Sequence, residues 1–315
     1  MAILGDDMTI KKILVTGSSG TIGTRLCEKL LEENYEIVGV DLKSNRWNER
    51  LNESTIIGDL RNKQTLENLP KDIDLVIHLA ANARVYNLVI DPGLARDNFE
   101  ILFNTIEFCR KNDIKRFIFA SSREVYGNSK QIVHSENDVY VRNCESPYTA
   151  SKIGGEALVH AYHRCYGINF IIIRFSNVYG MYDDSDRVIP LFIKLTKENK
   201  GLVVYDGEKM LDFTYIDDAI SGILKCMENF DQVKNDVFNI ASGEALSFIE
   251  VAQLIQQYMD NKNKIAIKEN RTGEVVKFIA DISKAKKKLG YEPKTTITGG
   301  IEKSIKWYMK RVRDG

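Results

Sequence analysis

Seven residues near the N-terminus, Gly17-Ser-Ser-Gly20-Thr-Ile-Gly23, constrain the fold of this chain more than any other stretch. They follow a short aliphatic run, Lys12-Ile-Leu-Val-Thr16, that reads as a buried strand. They open a segment, Thr21 to Glu33, whose Ile22, Leu26, Leu30 and Leu31 fall on one side of a helix. In that setting Gly17 permits a tight turn, Gly20 lets a ligand approach the backbone, and Gly23 lets helix and strand pack closely. The free N–H groups of the first helical turn, which holds Thr21 and Ile22, then face the pyrophosphate of a dinucleotide.

The rest of the first half repeats the pattern. Glu36–Asp41, Thr55–Gly58, Leu75–Leu79, Arg116–Ala120 and Phe170–Arg174 are short apolar runs separated by longer amphipathic stretches. Nearly continuous apolar strands alternating with helices predict a parallel sheet covered on both faces. The expected fold is α/β, a doubly wound, Rossmann-like parallel sheet with a smaller mixed α/β C-terminal substrate lobe. The division is placed at residues 1–178 and 179–315, with one or two later segments returning to the first domain. In the lobe, helices are expected at Val188–Lys200, Asp217–Asn229, Phe248–Tyr258, Ile282–Leu289 and Ile297–Val312, and strands at Val203–Tyr205 and Ile265–Ile267.

Bulk properties exclude several classes. Lys+Arg and Asp+Glu both count 44, so no global charge draws the chain to nucleic acid or to a membrane surface. No apolar run approaches the roughly 18 residues of a membrane span. Asp6 and Asp7 stand where a signal peptide carries its basic residues. Five scattered cysteines without a Cys-x-x-Cys pair predict neither disulfides nor a zinc site, and suit a reducing cytoplasm.

Asp41 ends the second strand, 18 residues after Gly23. A carboxylate there accepts hydrogen bonds from the adenosine ribose and repels a 2′-phosphate, so the expected cofactor is NAD rather than NADP. Asp59 and Leu60, after the third strand, are expected beside adenine. His78-Leu79-Ala80-Ala81 ends the fourth strand with small residues that allow close approach to the cofactor. His78 itself reads as a packed, hydrogen-bonded histidine.

Tyr148 and Lys152, four residues apart, share one helix face. Ser121-Ser122 ends the fifth apolar run. Hydride transfer from a sugar carbinol needs a base on the hydroxyl, and Tyr148 is the candidate. A free phenol is mostly protonated at neutral pH. The Lys152 ammonium and a positively charged nicotinamide are expected to favour the phenolate. Ser122 can hydrogen-bond the same sugar oxygen.

With these residues in order, the chain resembles the extended short-chain dehydrogenase/reductases, specifically the NAD-dependent nucleotide-sugar epimerase/dehydratase family. The resemblance runs from about residue 10 to 312. Further marks are Ser121-Ser-Arg-Glu-Val-Tyr-Gly127, Arg174-Phe-Ser-Asn-Val-Tyr-Gly180 and Asp212-Phe-Thr-Tyr-Ile-Asp-Asp218. It implies Tyr148 as general base, Lys152 on the nicotinamide ribose, Ser122 on the sugar and Asn98 near the nicotinamide. It places Asn177, Arg187, Val188, Arg271 and Glu274 against the nucleotide sugar, Arg271 and Glu274 gripping diphosphate and ribose. Two departures stand out. Leu211 occupies a position where the family usually has an arginine that clamps phosphate. Arg123-Glu124 keeps the dehydratases' glutamate but replaces their general-acid aspartate. A guanidinium stays protonated and is a poor acid, so the expected function is 4-epimerisation of a nucleotide sugar. A 4,6-dehydratase using Glu124, or a C4 dehydrogenase, is the alternative. The segments Asn98–Lys111 and Pro147–Tyr166 predict long helices, with Ile101, Leu102, Thr105, Phe108, Ala157, Leu158 and Ala161 expected at a homodimer interface.

Overall fold

The computed structural model describes residues 10–311. The first half winds as expected: β1 (Lys12–Thr16), α1 (Thr21–Glu32), β2 (Glu36–Asp41), β3 (Thr55–Ile57), α2 (Lys63–Glu67), β4 (Leu75–His78), α3 (Val85–Ile90), α4 (Gly93–Lys111) and β5 (Arg116–Ser122). A two-residue β6 (Val133–His134) precedes α5 (Pro147–Tyr166) and β7 (Asn169–Phe175). Then come β8 (Asn177–Tyr179), α6 (Val188–Lys197), β9 (Leu202–Tyr205), β10 (Met210–Tyr215), α7 (Ile216–Glu228) and α8 (Phe230–Val233). The chain ends with β11 (Asp236–Ile240), β12 (Ala245–Ser247), α9 (Phe248–Tyr258), β13 (Ile265–Lys268), β14 (Lys277–Ala280), α10 (Ser283–Leu289) and α11 (Ile297–Arg311). Val312, expected to end the last helix, lies outside the described residues.

Among the described residues, the main sheet has seven strands in the order β11-β7-β5-β4-β1-β2-β3, every pairing parallel. The apolar runs form it because both faces are covered: Ile13, Leu14, Val15, Val76, Ile77, Ile118 and Ile171 have almost no solvent contact. Two helical layers produce two core clusters, one on each side of the sheet. The lobe holds a mixed sheet, β12-β10-β14-β6 with β8 also on β10, and a small parallel pair, β13-β9.

One strand of the main sheet was not legible. Residues 236–240 lie 58 or more residues beyond the division placed at 178, yet β11 pairs with β7 over five positions, Asp236↔Ile171 to Ile240↔Phe175. Asp236 and Asn239 break its apolar run, which hid it. Asp236 sits at the strand's start, held by Lys284 and Lys288 of α10. Asn239 is buried and bonds the carbonyls of His134 and Asp281.

The long helices also turn differently from expectation. Leu102, Thr105 and Phe108 are buried within the monomer. The outer face of α4 presents Phe99 and Phe103, which are about two-fifths exposed. No helix among the described residues is long and apolar enough to cross a membrane.

His78 ties the sheet together where β4 ends. Ala80 N–H donates to the Thr16 hydroxyl, which leaves that hydroxyl's proton for His78 Nδ1 at 3.0 Å. Complete burial, with Lys152 adding repulsion, pushes the imidazole down to about 3. Folded His78 is therefore neutral, whereas the unfolded residue takes up a proton below about 6.5. Its contribution is full above pH 6.5 and is lost as pH falls toward 3. Denaturant titrations should show this residue costing about 2 kcal/mol of stability between pH 7 and pH 5. A His78→Gln variant should lose that part of the pH dependence; an unchanged slope would count against the assignment.

Candidate functional site

The cofactor cradle is set by close backbone contacts. Gly17 has φ +73, and a Cβ there would stand 2.9 Å from Ala80 N. A Cβ on Gly23 would lie 2.0 Å from the Gly17 carbonyl oxygen. The turn thus seats α1 directly on the ends of β1 and β4. No side chain caps the N-terminus of α1, whose N-cap is Gly20. The Ser18 and Ser19 hydroxyls are buried there without a hydrogen-bond partner. Open helix N–H groups and two orphaned hydroxyls at one turn suit a pyrophosphate, so the cradle fits NAD.

Asp41 closes the same edge. Its Oδ2 accepts from Ser19 N–H at 3.0 Å, fixing the carboxylate at the end of β2. Asp59 is gripped by the Arg61 guanidinium, which also reaches Asp97, and Leu60 packs into the core. Asn98 is buried: its amide oxygen accepts from Asn82 N–H at 2.6 Å and its amide nitrogen donates to the Asn82 carbonyl at 3.0 Å.

Beside the cradle, one cavity gathers most of the chemical residues. Ile22, Leu79, Ala81, Ser122, Glu124, Tyr148, Lys152, Asn177, Arg187, Val188, Arg271 and Glu274 all line it. Gly17, Gly20, Thr21, Gly23, Asp41, Asp59, Leu60, Ala80 and Asn98 lie outside its wall. Ser122 ends β5 and caps a short 3-10 turn over Arg123–Tyr126. Tyr148 is the second residue of α5, where Ser146 caps and Pro147 opens the helix. The Ser122 hydroxyl lies near enough to the Tyr148 phenol to favour its ionised form.

Lys152 is anchored to the end of β5. Its ammonium donates to the Ala120 carbonyl at 2.8 Å and lies 5.8 Å from the Tyr148 ring centroid. Burial lowers it to about 8, against the opposing charge of Glu156. The Tyr148 phenol is held above the ordinary tyrosine range by burial, and the Glu124 carboxylate adds to that. The nearby Ser122 hydroxyl and the charges of Arg187 and Arg123 act the other way.

A buried brace holds these elements. Ser121 Oγ donates to Glu156 Oε1 at 2.5 Å, and Arg174 forms two bonds to the same carboxylate at 2.9 and 2.7 Å. Glu156 stands one turn beyond Lys152, at a helical spacing that sequence could have revealed.

Arg123 Nη2 pairs with Glu124 Oε1 at 2.8 Å, and both side chains are buried. Burial pushes the Glu124 carboxyl up, while Arg123 and Lys209 pull it back. Arg271 is no free loop charge: its guanidinium lies 4.0 Å from the Tyr205 ring centroid and 4.9 Å from that of Tyr86. Arg187 pairs with Asp183 at 3.4 Å. The cavity also contains Arg84, paired with Asp186, and Lys209, paired with Glu274; neither was singled out from sequence. The Asp212…Asp218 motif is structural. Asp212 accepts from Ser242, Gly243 and Ala280, and Asp218 from the Lys294 and Thr295 N–H groups. Among the described residues, no group of three His, Cys, Asp or Glu side chains could hold a metal.

These features define a class: a doubly wound dinucleotide-binding protein with a serine, a tyrosine and a lysine at the mouth of its cofactor cradle. The model of the NAD-dependent epimerase/dehydratase family matches residues 13–241, and the chain belongs to that family. It is 34% identical to a putative UDP-glucose 4-epimerase of Methanocaldococcus jannaschii, over 94% of this chain and 97% of that protein. The crystal structure of UDP-glucose 4-epimerase from Thermotoga maritima with UDP-glucose superposes with a TM-score of 0.88 at 30% identity, covering 96% and 99% of the two chains. UDP-glucuronic acid 4-epimerase from Bacillus cereus, in complex with UDP-glucuronic acid and NAD, gives 0.86 at 31%, covering 95% and 99%.

Asp41 makes the cofactor choice testable. Apo-protein titrated with each dinucleotide should bind NAD more tightly than NADP. Asp41→Ala should narrow the difference by about tenfold, roughly 1.4 kcal/mol. Tighter NADP binding by the unaltered protein would refute the role of Asp41.

Proposed function

We propose that this protein is a nucleotide-sugar 4-epimerase, acting by transient oxidation at C4 of a nucleoside-diphosphate sugar and reduction of the ketone from the opposite face. NAD bound in the cradle supplies the acceptor and donor of hydride. Tyr148, as the phenolate that a bound, positively charged nicotinamide would favour, takes the C4 hydroxyl proton as the ketone forms and returns it on reduction. Ser122, on the same cavity wall as Tyr148, hydrogen-bonds the same sugar oxygen. Lys152, pinned by the Ala120 carbonyl, faces the cofactor ribose from one turn further along α5. Asn177, Arg187, Val188, Arg271 and Glu274 hold the rest of the nucleotide sugar within the same cavity.

One observation separates this reading from dehydration. Loss of water across C5 and C6 needs a group beside Glu124 that gives up a proton and recovers it. Arg123 stands there, locked to Glu124 at 2.8 Å. A guanidinium does not release its proton at neutral pH.

Incubation with UDP-glucose, UDP-glucuronic acid and UDP-N-acetylglucosamine in deuterated buffer, followed by NMR, tests the proposal. The expected product is the C4 epimer of at least one sugar, with C5 still protonated and C6 intact. Tyr148→Phe should cut turnover at least about a hundredfold while NAD remains bound. Glu124→Gln should stay within about tenfold. A 4-keto-6-deoxy product carrying deuterium at C5 would establish the dehydratase instead.

The reading extends to a homodimer. Phe99 and Phe103 on α4, with the exposed Ala157, Ala161 and Tyr166 on α5, form an apolar face that a second copy would cover. Light scattering should give twice the chain mass of 35.9 kDa. Phe103→Asp should shift the species toward the monomer; a monomeric unaltered protein at micromolar concentration would rule the dimer out.

A further inference from the structure

Lys209 is a charged side chain almost wholly withdrawn from solvent, at 3% exposure, on the wall of the cavity. It immediately precedes β10, two positions before Leu211, which lines the same cavity without a charge. Its ammonium bonds Glu274 Oε2 and lies 5.2 Å from the Phe248 ring centroid. Glu124 lines the same cavity and feels its charge. Glu124 is close to Ser122 and Tyr148. Glu274 is three residues from Arg271, on the loop before β14.

A buried ammonium needs an anion, because leaving it bare costs several kcal/mol. Glu274 supplies one in the unliganded protein, and the remaining cavity cations are largely engaged in the same way. Arg84, Arg123 and Arg187 each pair with a carboxylate, and Arg271 is stacked between two tyrosines. A nucleoside diphosphate brings two negative phosphates into this wall. Lys209 and Arg271 share one cavity wall with Tyr148, so a ligand whose sugar meets Tyr148 has these cations within the same cavity for its phosphates.

Building on the nucleotide-sugar reading above, we infer that Lys209 is a phosphate-binding residue of this cavity, exchanging its Glu274 partner for a phosphate oxygen when a nucleoside diphosphate binds. The exchange is charge for charge, so the ammonium is never unpaired. It also frees the Glu274 carboxylate to accept hydrogen bonds from ribose hydroxyls. Arg271 provides the planar, two-pronged donor and Lys209 the compact point charge, two complementary ways of holding phosphate.

The test is equilibrium binding of UDP and of uridine to the NAD-loaded protein, with folding of each variant checked by circular dichroism. Lys209→Met should weaken UDP at least tenfold and uridine less than threefold. Lys209→Arg, which keeps the charge, should restore UDP affinity to within about threefold of the unaltered protein. Equal weakening of UDP and uridine would show a general packing role and overturn the inference, as would a UDP affinity within twofold in Lys209→Met. If the unaltered protein binds neither UDP nor any other nucleoside diphosphate, the nucleotide-sugar reading itself falls, and the role of Lys209 with it.

Discussion

The geometry of this site rests on one buried carboxylate. Glu156 receives Ser121 from β5 and two guanidinium bonds from Arg174 on β7, while riding on α5 four residues beyond Lys152. Three elements are fixed to each other at the point where Ser122, Tyr148 and Lys152 must meet. Arg174 carries the constraint onward to the Tyr126 hydroxyl and the Glu136 carbonyl. Such a pair is not a simple gain in stability, since both charges lose their water. Removing one partner, however, costs about 3–5 kcal/mol, because the other charge is left buried alone. The pair therefore penalises any arrangement in which β5, α5 and β7 are not in register.

How much of this was legible depended on range. The glycine turn, the buried strands and the Tyr148–Lys152 stripe announce themselves within a few residues, because local backbone geometry and helix periodicity create them. Their positions in the structure match the sequence reading within one or two residues at most ends. What sequence did not reveal was created by distant partners. Lys209 is an ordinary loop lysine until Glu274, 65 residues later, is seen to meet it. The phenol's surroundings were hidden for a related reason. Spacing put Lys152 beside Tyr148 but could not show that the ammonium also donates to the Ala120 carbonyl. Nor could it show that burial would raise the phenol and lower the lysine. Leu102, Thr105 and Phe108 of α4 are buried within the monomer, which spacing did not show because periodicity identifies an apolar stripe without saying whether a sheet or a second chain covers it.

The segment between β8 and α6 joins the two halves across the cradle. The Thr21 hydroxyl, at the start of α1, donates to the Tyr182 carbonyl at 2.9 Å, and the Tyr182 hydroxyl donates to Glu28. Asp184 and Asp186 pair with Arg46 and Arg84, which follow β2 and β4. Exposed ion pairs of this kind contribute at most about 1 kcal/mol each. The Tyr182 bonds and its ring contacts with Trp47 and Trp307 do more to hold the segment down. Tyr182 adopts φ +66 to make them, a conformation that a bulky residue takes only when its surroundings enforce it.

The pairing of β11 with β7 has a consequence for how the chain is made. A ribosome delivers residues in order, and domains generally fold as units as they emerge. Here the dinucleotide-binding sheet is not finished when β7 appears. Its edge stays open while about sixty further residues of the lobe are synthesised, from Ser176 to Asn235. During that interval β7 has one unpaired side, and Ile171, Ile172 and Ile173, almost fully buried in the finished protein, lack their last neighbour. The two halves are thus one folding event, sealed by a strand that arrives late. A chain truncated anywhere between Phe175 and Asp236 would keep the whole glycine turn, the serine, the tyrosine and the lysine, and still lack the edge that completes the sheet beneath them.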